Sequence, residues 1–344
     1  MRFLSLLGLS AAVLFALVLS SCVEPDKGVR VFLLNHAPDE VVIINPQTRQ
    51  ILNRFPVADG LTQIVFSHDG KNAYIANVVD VTNKVTVLNP DNFMKKEAIE
   101  VDGIPQGVDV FPDDAHLAII NAAKTDFQSG GFDVIDLTKQ SPSDPNRKLV
   151  TYRERSLRLV NQLHVSSDGK KIYCIDAKSD KIWVFDVETK KLVKAVALAT
   201  APIDIFFPKN GPYYYATSIK QQSVYVIDKK TDELVKSIQY GRFRYLVTSP
   251  DGMTVYAPVA EKRVVAVIDV NAAKVVKTIP LPREAETVAI SPYNDELYLV
   301  GRHIGDFYIV SLKTSQVTAQ MPLGGEFRDI AVRPIPRLED ATSS

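Results

Sequence analysis

Short apolar runs alternate with polar turns through the stretch from Tyr245 to Leu281, YLVTSPDGMTVYAPVAEKRVVAVIDVNAAKVVKTIPL. The pattern predicts four strands: one ending at Thr248, then Thr254 to Pro258, Val264 to Asp269 and Val275 to Leu281. Asp251-Gly252, between runs of apolar and β-branched residues, marks a hairpin, because glycine accepts the positive φ that other residues resist. No segment of this stretch is long enough, or suitably periodic, for a helix.

The same paragraph of sequence recurs along nearly the whole chain. Its hairpin marker falls at Asp69, Asp114, Asp168, Asn210, Asp251 and Asn294, at intervals of about 45, 54, 42, 41 and 43 residues. That period suits four-stranded propeller blades. A third strand closes each time on a polar turn residue: Asn89, Asp136, Asp186, Asp228, Asp269 or Ser311. Asn and Asp fit such turns because their side chains bond backbone two residues on. Six blades are complete, and the ends supply a seventh. Phe327 to Pro334 reads as a first strand only, and Val29 to Val57 as second, third and fourth strands. The fold class is therefore all-β: a seven-bladed β-propeller of four-stranded antiparallel blades, closed by N- and C-terminal strands sharing the last blade. Closure removes the open sheet edges that invite aggregation.

Two segments break the period: Ala122 to Gly131 lengthens one loop, and Lys139 to Ser156 is expected to stretch another. The basic run Arg147 to Arg158 within it reads as a solvated edge strand, or second as a partner-docking strip.

Tyr74-Ile75-Ala76-Asn77, Ser249-Pro250-Asp251-Gly252 and Val226-Ile227-Asp228 resemble the Tyr-Val-Thr-Asn (YVTN) β-propeller repeat family of bacterial and archaeal extracytoplasmic proteins. The likeness spans about Val29 to Pro336. It implies the fold and an envelope location, and no particular reaction, since its members differ in activity.

The first residues carry an export pattern: Arg2, then an apolar run from Phe3 to Leu19, then Leu19-Ser20-Ser21-Cys22. That tetrapeptide resembles the bacterial lipobox, whose cysteine is lipidated and becomes the new N-terminus. The expected organisation is a lipoprotein signal peptide over residues 1–21, a lipidated tether over 22–28, the propeller over 29–337 and a disordered tail over 338–344. Cys22 would anchor the chain in the cell envelope, either in the outer membrane facing the periplasm or on the cell surface. Cys174, the second of two cysteines, reads as a small buried hydrophobe within a strand.

Over 344 residues the formal net charge is zero, which argues against a nucleic-acid surface. There is no Gly-x-Ser-x-Gly elbow, paired-cysteine zinc motif, Cys-x-x-Cys-His haem motif or phosphate-binding glycine loop. Candidate chemistry comes instead from register. Aligning the first strands on their hairpins brings Thr62, Gln106, Asn161, Ile203, Arg244, Glu286 and Arg328 to one level of the channel mouth. Their successors are Gln63, Gly107, Gln162, Asp204, Tyr245, Thr287 and Asp329. Arg244 and Arg328 flank Glu286 across adjacent blades, and the loops between second and third strands add Asn35, His36, Asn77, Asn121, Asp176, Ser218, Arg302 and His303. The expected ligand-binding set is Arg244, Glu286, Arg328, Arg302, His303, His36, Gln106 and Asn161, suited to a small polar or anionic ligand because guanidinium groups grip carboxylates. Polar residues solvating a water-filled channel explain the same pattern. No cofactor and no metal site is expected, and a monomer is. The reading is a non-catalytic binding or scaffold module with an envelope protein partner or small anionic ligand. The alternatives are a propeller enzyme, of lactone hydrolase or quinone-cofactor type with Glu286 and His303 as the nearest pair, and a haem or metal carrier using His36 and His303.

Overall fold

The computed structural model describes residues 26–57, 59–78, 83–122, 130–157, 160–176, 179–208 and 210–334. The signal segment, Cys22 and the C-terminal tail lie outside the described residues. Seven four-stranded antiparallel sheets follow one another around a ring. In the last, Phe327–Pro334 is the inner strand and pairs with Val29–His36, in a register running from Val29 opposite Pro334 to Leu34 opposite Asp329. The expected closure of the ring is the one observed. Blades are numbered here from Leu61, so this composite sheet is blade seven.

Why the strands read as nearly continuous apolar runs is visible in the packing. Alternate residues of a strand point to opposite faces, and each blade is sandwiched between two others. In blade seven, Val31 and Leu33 pack toward blade six, with Tyr298 and Phe307. Phe32 and Leu34 pack toward blade one, with Ile64 and Ile75. The core is accordingly a set of wedges, one between every pair of neighbouring blades. Each fully buried Leu, Val or Phe contributes roughly 1.5–3 kcal/mol to such a wedge. Cys174 lies fully buried in one of them, and burial holds its thiol well above the usual range.

The hairpin markers have a common conformational cause. Gly70, Asp114, Gly169, Gly211, Gly252 and Asn294 occupy equivalent turn positions, and all have positive φ. The repeat is thus keyed to the left-handed residue itself, which only Gly, Asn and Asp adopt readily. In blades one, three and five a serine accompanies it, with Ser67, Ser166 and Ser249 donating to Asp69, Asp168 and Asp251 at 2.7, 2.6 and 2.6 Å. The turn after each third strand behaves as its sequence requires. Asn89, Asp136 and Asp228 each accept a backbone N–H two residues on, at 2.9, 2.9 and 2.8 Å.

One feature of the outer strands was not read from sequence. In every blade the pairing of third and fourth strands slips by one residue, leaving a bulge on the fourth strand, close to the turn in all but blade two, where the bulge at Thr151 lies well back from it. The bulged residues include Leu52, Val193, Val235 and Val276, at 42, 52, 45 and 51% exposure.

The stretch expected as a lengthened loop, Lys139 to Ser156, is mostly strand. Gly130–Ser141 and Asp144–Glu154 form a long hairpin on blade two. Its charges are paired. Arg147 Nη1 lies 2.6 Å from Asp102 Oδ1, and Arg153 contacts Asp102 and, at 3.1 Å, Asp133. Arg155 Nη2 is 2.7 Å from the same buried Asp133. The run is a partly solvated edge strand laced to carboxylates, which leaves little free positive charge for a docking strip.

Candidate functional site

The first strands converge on a central channel because they are the innermost element of every blade. Its cavity, about 430 Å³, is lined by Thr62, Gln63, Gln106, Asn161, Gln162, His164, Asp204, Tyr245, Arg328 and Asp329 together with apolar residues of blades four to seven. The lining is asymmetric. Amide and hydroxyl groups, with His164, occupy the blade one to three side, Asp204, Tyr245, Arg328 and Asp329 the sides of blades four, five and seven, and apolar residues that of blade six.

A second recess of about 130 Å³ opens at the mouth, between blades five, six and seven. It is lined by Thr62, Arg244, Tyr245, Glu286, Thr287, Arg302, Phe327 and Arg328, and meets the channel at Thr62, Tyr245 and Arg328. Four of the expected site residues, Arg244, Glu286, Arg302 and Arg328, therefore share one recess. Glu286 Oε2 stands between two guanidiniums, 3.7 Å from Arg244 Nε and 4.0 Å from Arg302 Nη1. These are ion-pair distances and longer than hydrogen bonds. Arg244 Nε is buried and has no hydrogen-bond acceptor among the described residues. Its guanidinium carbon is 5.9 Å from the Tyr245 ring centroid, a cation–π separation that orients it. Arg328 has no carboxylate within ion-pair reach among the described residues. Three cations thus surround one anion.

The remaining expected residues are distributed differently. Gln106 and Asn161 line the channel on the far side, away from the recess. His36 lies on the same face but turns to Asp39, 3.5 Å away, and its N–H donates to the Glu326 carbonyl at 2.7 Å. His303 is exposed on the loop that carries Arg302. Neither histidine lines the recess. Asn35, Asn77, Asn121 and Ser218, which the sequence placed among loop candidates, are buried. Their side chains serve their own blades: Asn121 donates to Asp133 at 2.7 Å, and Asn35 accepts from Glu326 N at 3.0 Å. They end second strands and hold the neighbouring loops.

His164, inside the first strand of blade three, lies in the channel between two carboxylates. Its Nε2 is 3.3 Å from Asp204 Oδ1 and its Nδ1 3.8 Å from Asp109 Oδ2. Burial opposes its charge, but Asp204 and then Asp109 hold its pKa above the ordinary 6.5. Asp329 sits in the same channel. Desolvation by the surrounding wall, reinforced by Asp204, raises it from 3.8 to about 7. Burial likewise raises Asp109. His164, Asp204 and Asp329 all line the channel from the inner strands of their blades.

Side-chain oxygens of the inner strands also tie blades together. Asp329 Oδ2 accepts from Ile64 N at 2.9 Å, Gln63 Oε1 from Val108 N at 3.0 Å, and Asp109 Oδ2 from Val165 N at 2.8 Å. Each bond links one inner strand to the next. Gln63 crosses at Gly107, where a Cβ would stand 2.9 Å from its Oε1 and 2.9 Å from Ile120 Cδ1. Among the described residues no group of three or more His, Cys, Asp or Glu is arranged to hold a metal ion.

Fold and channel together define a seven-bladed β-propeller with a cationic recess at one mouth. Residues 159–321, which cover blades three to six, match a family described as Domain of unknown function (DUF5074). A comparison with curated proteins finds no match. Among solved structures, a functionally unknown protein from Desulfotomaculum acetoxidans DSM 771 superposes with a TM-score of 0.71 at 15% identity, covering 88% of this chain and 98% of that one. Kuenenia stuttgartiensis hydrazine synthase gives 0.66 at 15%, covering 88% and 94%. The dihydro-heme d1 dehydrogenase NirN, in complex with DHE, gives 0.65 at 13%, covering 90% and 75%. At these identities the likeness is one of fold.

Proposed function

We propose that this chain is a cell-envelope lipoprotein of the YVTN-repeat type, anchored through Cys22, whose propeller is a non-catalytic module that captures a small anionic ligand at the channel mouth. The observation that carries the reading is the recess itself: Arg244, Arg302 and Arg328 around the single carboxylate of Glu286, with Arg244 Nε buried and lacking an acceptor. An unsatisfied buried donor is unfavourable by about 1–3 kcal/mol, and a ligand carboxylate or phosphate would relieve it. Bidentate guanidinium geometry suits both anions. The mouth recess meets the larger channel, so a ligand with an anionic head has room for a polar body beside Gln63, Gln106 and Asn161. The haem or metal carrier alternative draws less support, because neither His36 nor His303 lines the recess and, among the described residues, no group of three or more His, Cys, Asp or Glu includes them.

The test is a thermal-shift and calorimetric screen of small carboxylates and phosphates on the parent and on Arg244→Ala/Arg328→Ala. A hit should bind the parent and lose binding in the double variant. The double variant must still melt in one cooperative transition, so that lost binding is not lost structure. Full binding by the double variant would remove the site.

A further inference from the structure

The described chain begins pinned in place. Asp26 pairs with Arg30 at 2.8 Å, Lys27 Nζ with Asp295 at 2.6 Å, and Lys27 N donates to Gln47 Oε1 at 2.9 Å. Tyr293 Oη donates to the Lys27 carbonyl at 2.9 Å, and Asn45 Nδ2 to Asp26 at 3.2 Å. These partners belong to the first hairpin of blade six and the turn between the third and fourth strands of blade seven. Both lie on the face opposite the cationic recess, whose residues come from the other ends of the strands. Residues 26–28 therefore are not slack tether, and only four residue steps separate Asp26 from Cys22. Four steps of extended chain reach about 14 Å at most.

The same face has an apolar rim. Outside blade two, whose long hairpin carries its turn further out, the fourth-strand bulges lie within two residues of the strand starts at this face, and four of the seven bulges carry Leu or Val: Leu52, Val193, Val235 and Val276. Their neighbours Ile51, Leu192 and Leu234 are also exposed. The fold does not demand apolar groups here, because Lys96, Thr151 and Thr318 hold the equivalent position in the other blades. Apolar side chains spaced round a circumference cannot all be covered by one small ligand. A plane can touch them together.

We propose that this hairpin face is a membrane-docking surface, seated on the lipid bilayer that anchors Cys22, with the cationic recess turned away from it. The proposal rests on the lipidation of Cys22. It commits to lipid as occupant because the exit of the chain and the apolar rim share one face, and because the leash is too short to let the ring turn over. Inner strands of about six residues place the recess roughly 20 Å further from the lipid.

The full-length protein, extracted from membranes and reconstituted in phosphatidylethanolamine–phosphatidylglycerol vesicles, tests this. Single Val193→Cys, Val276→Cys and His303→Cys variants are labelled with an environment-sensitive fluorophore, Cys174 being buried, and exposed to lipids carrying a headgroup spin label. Loss of emission at positions 193 and 276 with none at 303 is the expected result. Equal or greater loss at 303, or no loss at the rim of protein shown by mass spectrometry to be lipidated, would overturn the docking while leaving the anchor intact. An unmodified N-terminus by mass spectrometry would remove the anchor and the docking with it. Rim labels shielded in a concentration-dependent way without vesicles would assign the face to a second copy and overturn the lipid assignment. Unchanged melting of each variant keeps folding out of the comparison.

Discussion

Asp329 is the residue whose surroundings make the sharpest prediction. Its folded carboxyl titrates at about 7 against an ordinary 3.8, so between those values the folded chain holds a proton that the unfolded chain has released. The stability due to neutral Asp329 is complete below about pH 4 and is lost as pH rises toward 7. Asp109 slopes the same way, and the contribution of protonated His164 falls away above about 6.5. Asp329→Asn keeps an acceptor for the Ile64 N–H, and it should flatten the melting temperature between about pH 4 and 7 relative to the parent. An unchanged slope would mean that another group is responsible. Gly107→Ala tests the neighbouring tie, because its Cβ would collide with Gln63 and Ile120. A loss of about 1–3 kcal/mol in a denaturant titration is expected, and a variant as stable as the parent would refute the tight crossing. Register alone made the mouth residues legible, since hairpin spacing fixes where each inner strand begins. It did not reveal His164, because a histidine within a strand gives no sign of which carboxylates the ring will bring to it.

At the level of elements, the strand pattern was readable wherever turns carried Asp, Asn or Gly at the left-handed or side-chain-capped position. Blade two escaped because SPSDPNRK, rich in Pro and Ser, reads as loop, whereas here it sits at the end of a hairpin whose strands carry on past the usual length. What stabilises that extension is Asp133, at 1% exposure, which accepts from Asn121 and pairs with Arg153 and Arg155. Asp133→Ala strands the Asn121 amide and takes one carboxylate partner from each arginine, Arg153 keeping Asp102. The arginines are substantially solvated and lose little, so the expected destabilisation is about 1–3 kcal/mol, mostly from the buried amide. Hydrogen exchange should show faster opening of residues 130–154 than of other blades, and uniform protection would contradict a local role.

For the whole molecule, closure is the organising fact, and it was legible because each terminus lacks what the other provides. Deleting Phe327 onward removes the inner strand of blade seven and exposes Val31, Leu33 and Ile64 along the seam. The truncated chain should lose its single cooperative melting transition, and a transition like the parent's would refute closure by that strand. The shared blade also dictates an order of events. Translation makes residues 29–56 almost 300 residues before their partner strand, Phe327–Pro334. At about 5–20 residues per second, that leaves three strands waiting roughly 15–60 s for a fourth. The ring is therefore a clasp that fastens only once residues 327–334 exist, and a stop anywhere before them leaves it undone.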